Sequence, residues 1–96
     1  MSTLEREIES TLRNQIESRG GFCLKWVCPG WAGVPDRIVL LPGAKVIFVE
    51  TKRPKGGVVS ARQKWWAAKL RQLGFTYYLI WTKEEVTNFV QCEFGE

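Results

Sequence analysis

Apolar residues recur at helical spacing in three segments of the chain. They predict helices over residues 3–18 and 60–73 and a short final helix after Thr82. The apolar faces consist of Leu4, Ile8, Leu12 and Ile16 in the first helix, Trp66, Ala67, Leu70 and Leu73 in the second, and Val86, Phe89 and Val90 in the third. Each helix opens with a capping box, a Ser or Thr followed three residues later by Glu or Gln: Ser2 and Glu5, Ser60 and Gln63, Thr82 and Glu85.

Alternating or continuous apolar runs predict four strands, over residues 22–28, 36–41, 45–52 and 75–81. The first three have short connections, which is typical of an antiparallel meander. The helix over 60–73 is long enough to carry the chain to a parallel fourth strand. The sequence therefore predicts an α/β fold with the order α-β-β-β-α-β-α, a mixed four-stranded sheet and a short C-terminal helix.

Length and composition indicate one globular domain over residues 1–96, with 45% hydrophobic and 25% charged residues. No apolar run approaches the ~20 residues that span a bilayer, and the N-terminus lacks the apolar core of a signal peptide. We therefore expect a cytosolic protein with no membrane partner. Three cysteines without CxxC spacing, and no histidine, favour free buried thiols over a zinc site.

The distribution of charge changes this picture more than the net charge of +4 does. Half of the 14 basic residues lie between 52 and 71, a segment without Asp or Glu. They are Lys52, Arg53, Lys55, Arg62, Lys64, Lys69 and Arg71. Such a stripe suits a polyanion, most often nucleic acid. The alternative is an ordinary solvated helix face.

The apolar hairpin over 36–52 carries Asp36, Glu50 and Lys52 at its open end. With a three-residue turn at 42–44, residue i faces residue 86 − i, so Asp36 stands opposite Glu50, and Lys52 shares the face of Glu50. Opposed side chains have Cβ atoms ~4.5–5.5 Å apart, so two carboxylates there repel unless something compensates. A hard divalent cation such as Mg²⁺ would compensate. Alternatively, Lys52 neutralises Glu50 at a salt-bridged strand end while Asp36 caps the turn after Pro35.

Pro35-Asp36 and Glu50-Thr51-Lys52 resemble the PD-(D/E)XK nuclease signature. The surrounding segments, "GVPDRIVLLPGAKVIFVETKRP" and "SARQKWWAAKLRQLGF", are similar to the VRR-Nuc family of nucleases. The resemblance runs from about residue 4 to residue 81. It implies a restriction-endonuclease-like core with the order α-β-β-β-α-β, which agrees with the order predicted above.

The resemblance also implies hydrolysis of DNA phosphodiester bonds with Mg²⁺ or Mn²⁺. By position, Asp36, Glu50 and the carbonyl of Thr51 would hold the metal. Lys52 would act on the attacking water or on charge at the phosphorus, and we favour the electrostatic role because a lysine is normally protonated.

Two helix residues carry over from the same resemblance. Glu5 matches a carboxylate that the superfamily places on its first helix, although Glu9 competes with it and either could simply be an acid favoured by the helix dipole. Gln63 matches the family's S-x-x-Q motif and is also the capping residue of its helix. Phosphate contacts would come from Arg53, Lys55, Arg62 and Lys64.

A chain this short has no separate sequence-reading domain, so the resemblance favours a structure-directed endonuclease that resolves four-way (Holliday) junctions. Symmetric cutting needs two sites, which a homodimer would supply, associating through Trp65, the last strand or the loop at Trp31. Two alternatives remain open. One is a catalytically silent DNA-binding relative, and the other is a double-stranded RNA-binding module, which also runs α-β-β-β-α.

Overall fold

A computed structural model describes residues 4–95 of the chain. In chain order the elements are α1 (Glu5–Glu17), β1 (Phe22–Lys25), β2 (Arg37–Leu41), β3 (Lys45–Thr51), α2 (Ala61–Gln72), β4 (Thr76–Ile80) and α3 (Lys83–Phe94). The predicted order is confirmed. The last helix is not short, since it runs for 12 residues. The capping box at Ser2 lies outside the described residues. Within them, the side chain of Glu7 accepts a hydrogen bond from the main-chain N–H of Leu4, just before α1.

The four strands form one sheet in the order β1-β2-β3-β4. The first three pair antiparallel, and β4 joins β3 in parallel after the crossover through α2. The β2–β3 ladder runs from Arg37 opposite Val49 to Leu41 opposite Lys45, which is the predicted register. In the turn at 42–44, Gly43 and Ala44 both adopt positive φ, 83° and 61°. The odd-length turn therefore sets which residues face each other at the open end of the hairpin.

The sheet is covered differently on its two faces. Helices α1 and α3 cover one face and enclose the larger core, which includes Ile8, Leu12, Ile16, Val39, Ile47, Val49, Ile80, Val86 and Phe89. Helix α2 covers part of the other face, where Phe48 and Tyr77 pack with Ala67 and Leu70. Leu73 is 71% exposed, so its predicted burial is wrong. It follows the end of α2, and the sheet covers only the middle of that helix.

All three cysteines are free, but only Cys23 is buried, whereas Cys28 is half-buried and Cys92 is exposed. The expectation of buried thiols therefore holds for Cys23 alone. Burial raises the pKa of that thiol to about 11.

None of the helices between residues 4 and 95 is both long enough and apolar enough to cross a membrane.

Candidate metal centre and nucleic-acid interface

Asp36 lies in a bend immediately before β2. Its main-chain carbonyl accepts a hydrogen bond from Trp26 N at 2.9 Å, which extends the β1–β2 pairing by one residue. Its carboxylate accepts two hydrogen bonds from Thr51, from Oγ1 at 2.9 Å and from the main-chain N–H at 3.3 Å. The Asp36 side chain thus extends the β2–β3 pairing by one position before the first residue of β2. Thr51 of β3 holds its carboxylate, and Trp26, the residue after β1, holds its main chain.

Glu50 lies near the end of β3 and is only 4% exposed. Its Oε2 accepts a hydrogen bond from Gln63 Nε2 at 3.2 Å and lies 3.8 Å from Lys52 Nζ. The other oxygen, Oε1, is buried and accepts no hydrogen bond from any residue that the structure describes. A buried carboxylate oxygen normally has a partner, so this atom calls for one.

The prediction that Asp36 and Glu50 share one sheet face is wrong, although both lie at the same end of the β2–β3 hairpin. Glu50 points towards α2, whereas Asp36 points along the sheet towards Thr51 and α1. The difference arises because Asp36 lies outside the regular strand, where side chains no longer alternate. The two carboxylates still interact across the sheet end, since the charge of Asp36 raises the pKa of Glu50.

Helix α1 brings two more carboxylates to Asp36. Oxygen atoms of Glu5, Glu9 and Asp36 all lie within 4.8 Å of one another. Glu9 is also paired with Arg37, whose Nε lies 3.2 Å from Glu9 Oε2. Glu5 and Glu9 therefore both lie near Asp36, but Glu9 already forms an ion pair with Arg37. Sequence patterns did not indicate this ion pair, which joins residues 28 positions apart.

We call the carboxylates of Glu5, Glu9, Asp36 and Glu50 the acidic cluster, and two of them have raised pKa values. Burial is the main reason that the pKa of Glu50 rises to about 8, and the charge of Asp36 adds to the rise while Lys52 opposes it. Burial likewise raises the pKa of Asp36 to about 6, against the hydrogen bond from the Thr51 side chain, which lowers it. Carboxylates shifted this far prefer either a proton or an added cation.

The residues present fit a hard divalent cation. Carboxylate oxygens are its preferred ligands. Glu5, Glu9 and Asp36 offer three of them within 4.8 Å of one another, and Glu50, whose pKa is raised by the charge of Asp36, offers its unpartnered Oε1. The alternative reading, a neutralised strand end, accounts for Oε2 of Glu50 through Lys52 but leaves Oε1 unexplained.

Gln63 combines the two roles considered for it. Its Oε1 accepts a hydrogen bond from Ser60 N at 2.9 Å, and its main-chain N–H donates to Ser60 Oγ at 3.1 Å, which confirms the capping box of α2. Its Nε2 meanwhile donates to Glu50. The start of α2 is therefore linked to the acidic cluster by the hydrogen bond from Gln63 to Glu50.

The loop that leads into Asp36 rests on the same helix. Trp66 Nε1 donates to the carbonyl of Ala32 at 3.1 Å, and the Trp31 ring packs edge-on against Trp66 with centroids 5.7 Å apart. Gly33 has φ of 84°, and a Cβ built there would lie 2.5 Å from Arg62 Cβ. Only glycine therefore allows this close approach.

The four basic residues predicted to contact DNA are all exposed. Arg53 and Lys55 follow β3 in the loop after the acidic cluster, and Arg62 and Lys64 lie in the first turns of α2, whose first turn has no acidic residue. Positive side chains and the N–H groups of a helix start thus lie along the chain directly after the cluster, an arrangement that favours anions.

No protein-family model matches the chain, whereas a curated protein and a solved structure are similar to it. A curated protein of Acyrthosiphon pisum secondary endosymbiont phage 1, named "Putative nuclease p44", is 50% identical over 50 residues, which are 52% of this chain. The chain spans about half of that relative's length, since the match covers 54% of it.

A solved structure described as a VRR_NUC domain superposes with a TM-score of 0.87 at 22% identity. The superposition covers 93% of this chain and 96% of that one. The double-stranded RNA-binding module is thereby disfavoured, because the fourth strand and the crossover are part of the match. The chain has the α/β fold of the VRR_NUC domain.

Proposed function

We propose that the protein is a metal-dependent endonuclease that hydrolyses phosphodiester bonds of DNA. The observation that carries the proposal is the buried Glu50 carboxylate, with its unpartnered Oε1, beside Asp36 at the end of the sheet. The name of the phage relative and the VRR_NUC fold agree with it. We propose further that residues 1–96 act as one nuclease domain in the cytosol.

Asp36, Glu50 and the carbonyl of Thr51 would hold Mg²⁺ or Mn²⁺. When bound, such a cation lowers the pKa of a coordinated water and withdraws charge from the phosphate. Asp36 is kept in place for this role by Thr51 and Trp26. Glu5 is the proposed carboxylate from the first helix, because Glu9 is paired with Arg37.

Lys52 and Gln63 support the same centre in different ways. Lys52 Nζ lies 3.8 Å from Glu50 Oε2. We assign it to stabilising charge on the phosphate. Gln63 positions Glu50 by donating a hydrogen bond to Oε2. Arg53, Lys55, Arg62 and Lys64 would bind DNA phosphates, contacts that set register and carry no sequence information directly.

A four-way junction is the proposed substrate, and a homodimer is the proposed working form. Two-fold symmetry would present two centres to the two strands that must be cut. Trp65 and Trp31 are exposed but pack edge-on against Trp66 within the chain, and β4 lies at the sheet edge.

In the part of the chain that the structure describes, an apolar surface is exposed on β1 and β2, on the face that α2 covers only in part. Phe22 is 59% exposed and pairs with Leu40, and Leu24 beside it is also exposed. The strand residues on this half of the face are apolar. An uncharged patch does not attract a charged partner but fits a second copy of itself, and two such sheet faces can pack together. We place the dimer interface here.

The dimer is testable by light scattering at high micromolar concentration. We expect twice the chain mass of 11.0 kDa. Leu24→Lys should give monomers, because a charge would be buried in an apolar interface, whereas Val58→Lys, exposed in the loop before α2, should not. Wild-type protein that stays monomeric with and without junction DNA would contradict the homodimer.

The proposed activity is tested with labelled four-way, flap and linear duplex DNA in Mg²⁺, in Mn²⁺ and in EDTA. We expect cleavage with either metal, none in EDTA, and the fastest cleavage on the four-way junction. Binding without cleavage under any metal condition would instead favour a catalytically silent DNA-binding relative.

A further inference from the structure

A groove of about 290 Å³ lies between α2 and β4, outside the acidic cluster. It is lined by Val59, Lys64, Ala67, Ala68, Arg71, Tyr77 and Leu79. Ligand pockets usually hold roughly 300–1,000 Å³, so this groove is at the small end of that range. It has room for one flat ring with its substituents and none for a duplex.

Among the residues that the structure describes, the lining of the groove is apolar at its base and cationic at its rim and includes no acidic side chain. Ala67 and Tyr77 are buried in the floor beside Leu79. The Arg71 guanidinium lies 4.9 Å from the Tyr77 ring centroid and donates to the Tyr77 carbonyl at 3.5 Å. Because a guanidinium has five N–H donors, Arg71 retains donors for a ligand.

Lys64 and Arg71 are the two positively charged residues that line the groove. They lie two turns apart on α2, a separation of roughly 10 Å at 1.5 Å per residue. The groove therefore combines an apolar floor with two positive charges too far apart to bind a single oxygen together. A short stretch of single-stranded DNA has the matching chemistry, since each flat base is flanked by negative phosphates.

The groove also adjoins the acidic cluster. Leu79 pairs with Glu50 in the parallel β3–β4 ladder, and Lys64 directly follows Gln63, which donates to Glu50. Burial raises the pKa of Tyr77 to about 12, and the charge of Glu50 is the next cause of that rise. A strand whose phosphate lies at Glu50 can therefore continue into the groove without crossing another element.

We propose that this groove receives an unpaired nucleotide of the strand that is cut. Its base packs on Ala67, Leu79 and Tyr77, and the flanking phosphates contact Lys64 and Arg71. The inference rests on the proposed nuclease function and adds that one nucleotide beside the cut bond is unpaired while the DNA is bound, as the branch point of a four-way junction permits. A continuous duplex has no free base to place there.

The test fills the groove without changing charge. Ala68→Trp adds a large side chain at an exposed position of α2 that lines the groove. Leu73→Trp adds the same side chain at an exposed position just after α2 that does not line the groove. Binding of a fluorescein-labelled six-residue oligothymidylate and of a blunt duplex is measured by anisotropy in EDTA. Circular dichroism checks that both variants are folded.

We expect Ala68→Trp to weaken oligothymidylate binding about tenfold, because base–aromatic contact and phosphate contact are lost together, and Leu73→Trp to leave it unchanged. Duplex binding should stay within about twofold for both variants. Unchanged oligothymidylate affinity in Ala68→Trp, or an equal loss for the duplex, would overturn the proposal.

A second measurement needs no variant. In wild-type protein, thymidine monophosphate should shift the amide resonances of Ala67, Ala68 and Leu79 above all others, and shifts confined to other regions would overturn the proposal. Both measurements work without divalent metal, so they separate the two claims. If the protein cuts DNA but shows neither the binding loss nor the resonance shifts, only the groove proposal is wrong. If it shows both but never cuts DNA, only the proposed nuclease activity is wrong.

Discussion

Asp36→Asn is expected to abolish metal-dependent cleavage of DNA, with a loss of at least about a thousandfold. The substitution removes a proposed metal ligand while keeping size and an oxygen that can still accept from Thr51. Affinity for DNA should change by no more than a few-fold, because phosphate binding is assigned to the exposed basic residues after the cluster. Cleavage is measured in Mg²⁺ and Mn²⁺, and affinity by anisotropy in EDTA.

Glu17→Gln is the matched control for Asp36→Asn. It removes one carboxylate from the exposed end of α1, away from the cluster, so both activity and affinity should match the wild type. Full cleavage by Asp36→Asn would place the active centre elsewhere. A parallel loss of binding and cleavage would mean that Asp36 acts on DNA affinity instead of on the chemical step.

Glu50→Gln is expected to stabilise the metal-free protein at pH 8 while removing its activity. The pKa of Glu50 lies near 8 in the folded chain, above its ordinary value of 4.5, so the folded state binds more protons than the unfolded chain between these values. The stability of the metal-free wild type therefore falls as pH rises through this range, and it is unaffected by Glu50 below about pH 4. A neutral Gln avoids the penalty, which is worth roughly 2–4 kcal/mol at pH 8.

Thermal unfolding in EDTA at pH 4 and pH 8 measures this effect. At pH 8 the Tm of Glu50→Gln should exceed that of the wild type by roughly 10 °C, and at pH 4 the two should coincide. Mn²⁺ should raise the Tm of the wild type and have a much smaller effect on the variant. A Tm of Glu50→Gln below that of the wild type at pH 8 would contradict this prediction. It would show that the Glu50 carboxylate stabilises the folded protein through Lys52 and Gln63.

The order of the elements and the hairpin register could be predicted because both depend on local patterns. Capping boxes mark the starts of α2 and α3, and the turn at 42–44 sets the β2–β3 pairing. Asp36 and Glu50 could therefore be brought to one end of the sheet from the sequence alone.

The directions of the side chains at that end could not be predicted in the same way. Asp36 lies in a bend, where its orientation is set by hydrogen bonds to Thr51 and Trp26 and not by strand alternation. The pairing of Glu9 with Arg37 depends on how α1 lies against the sheet, which no local pattern encodes. The exposure of Leu73 has the same origin, because helical spacing does not say how far the sheet extends beneath α2.

Gln63 constrains how such a protein can change over evolution or in engineering. The side-chain amide of Gln63 caps the start of α2, which lines the groove, and it also donates a hydrogen bond to Glu50 near the end of β3. Because its oxygen is committed to Ser60, its nitrogen must face Glu50, so the amide has no second orientation. A substitution there would alter both the start of α2 beside the groove and the placement of the Glu50 carboxylate. The proposed substrate preference is therefore more freely changed from positions such as Ala68, which lines the groove.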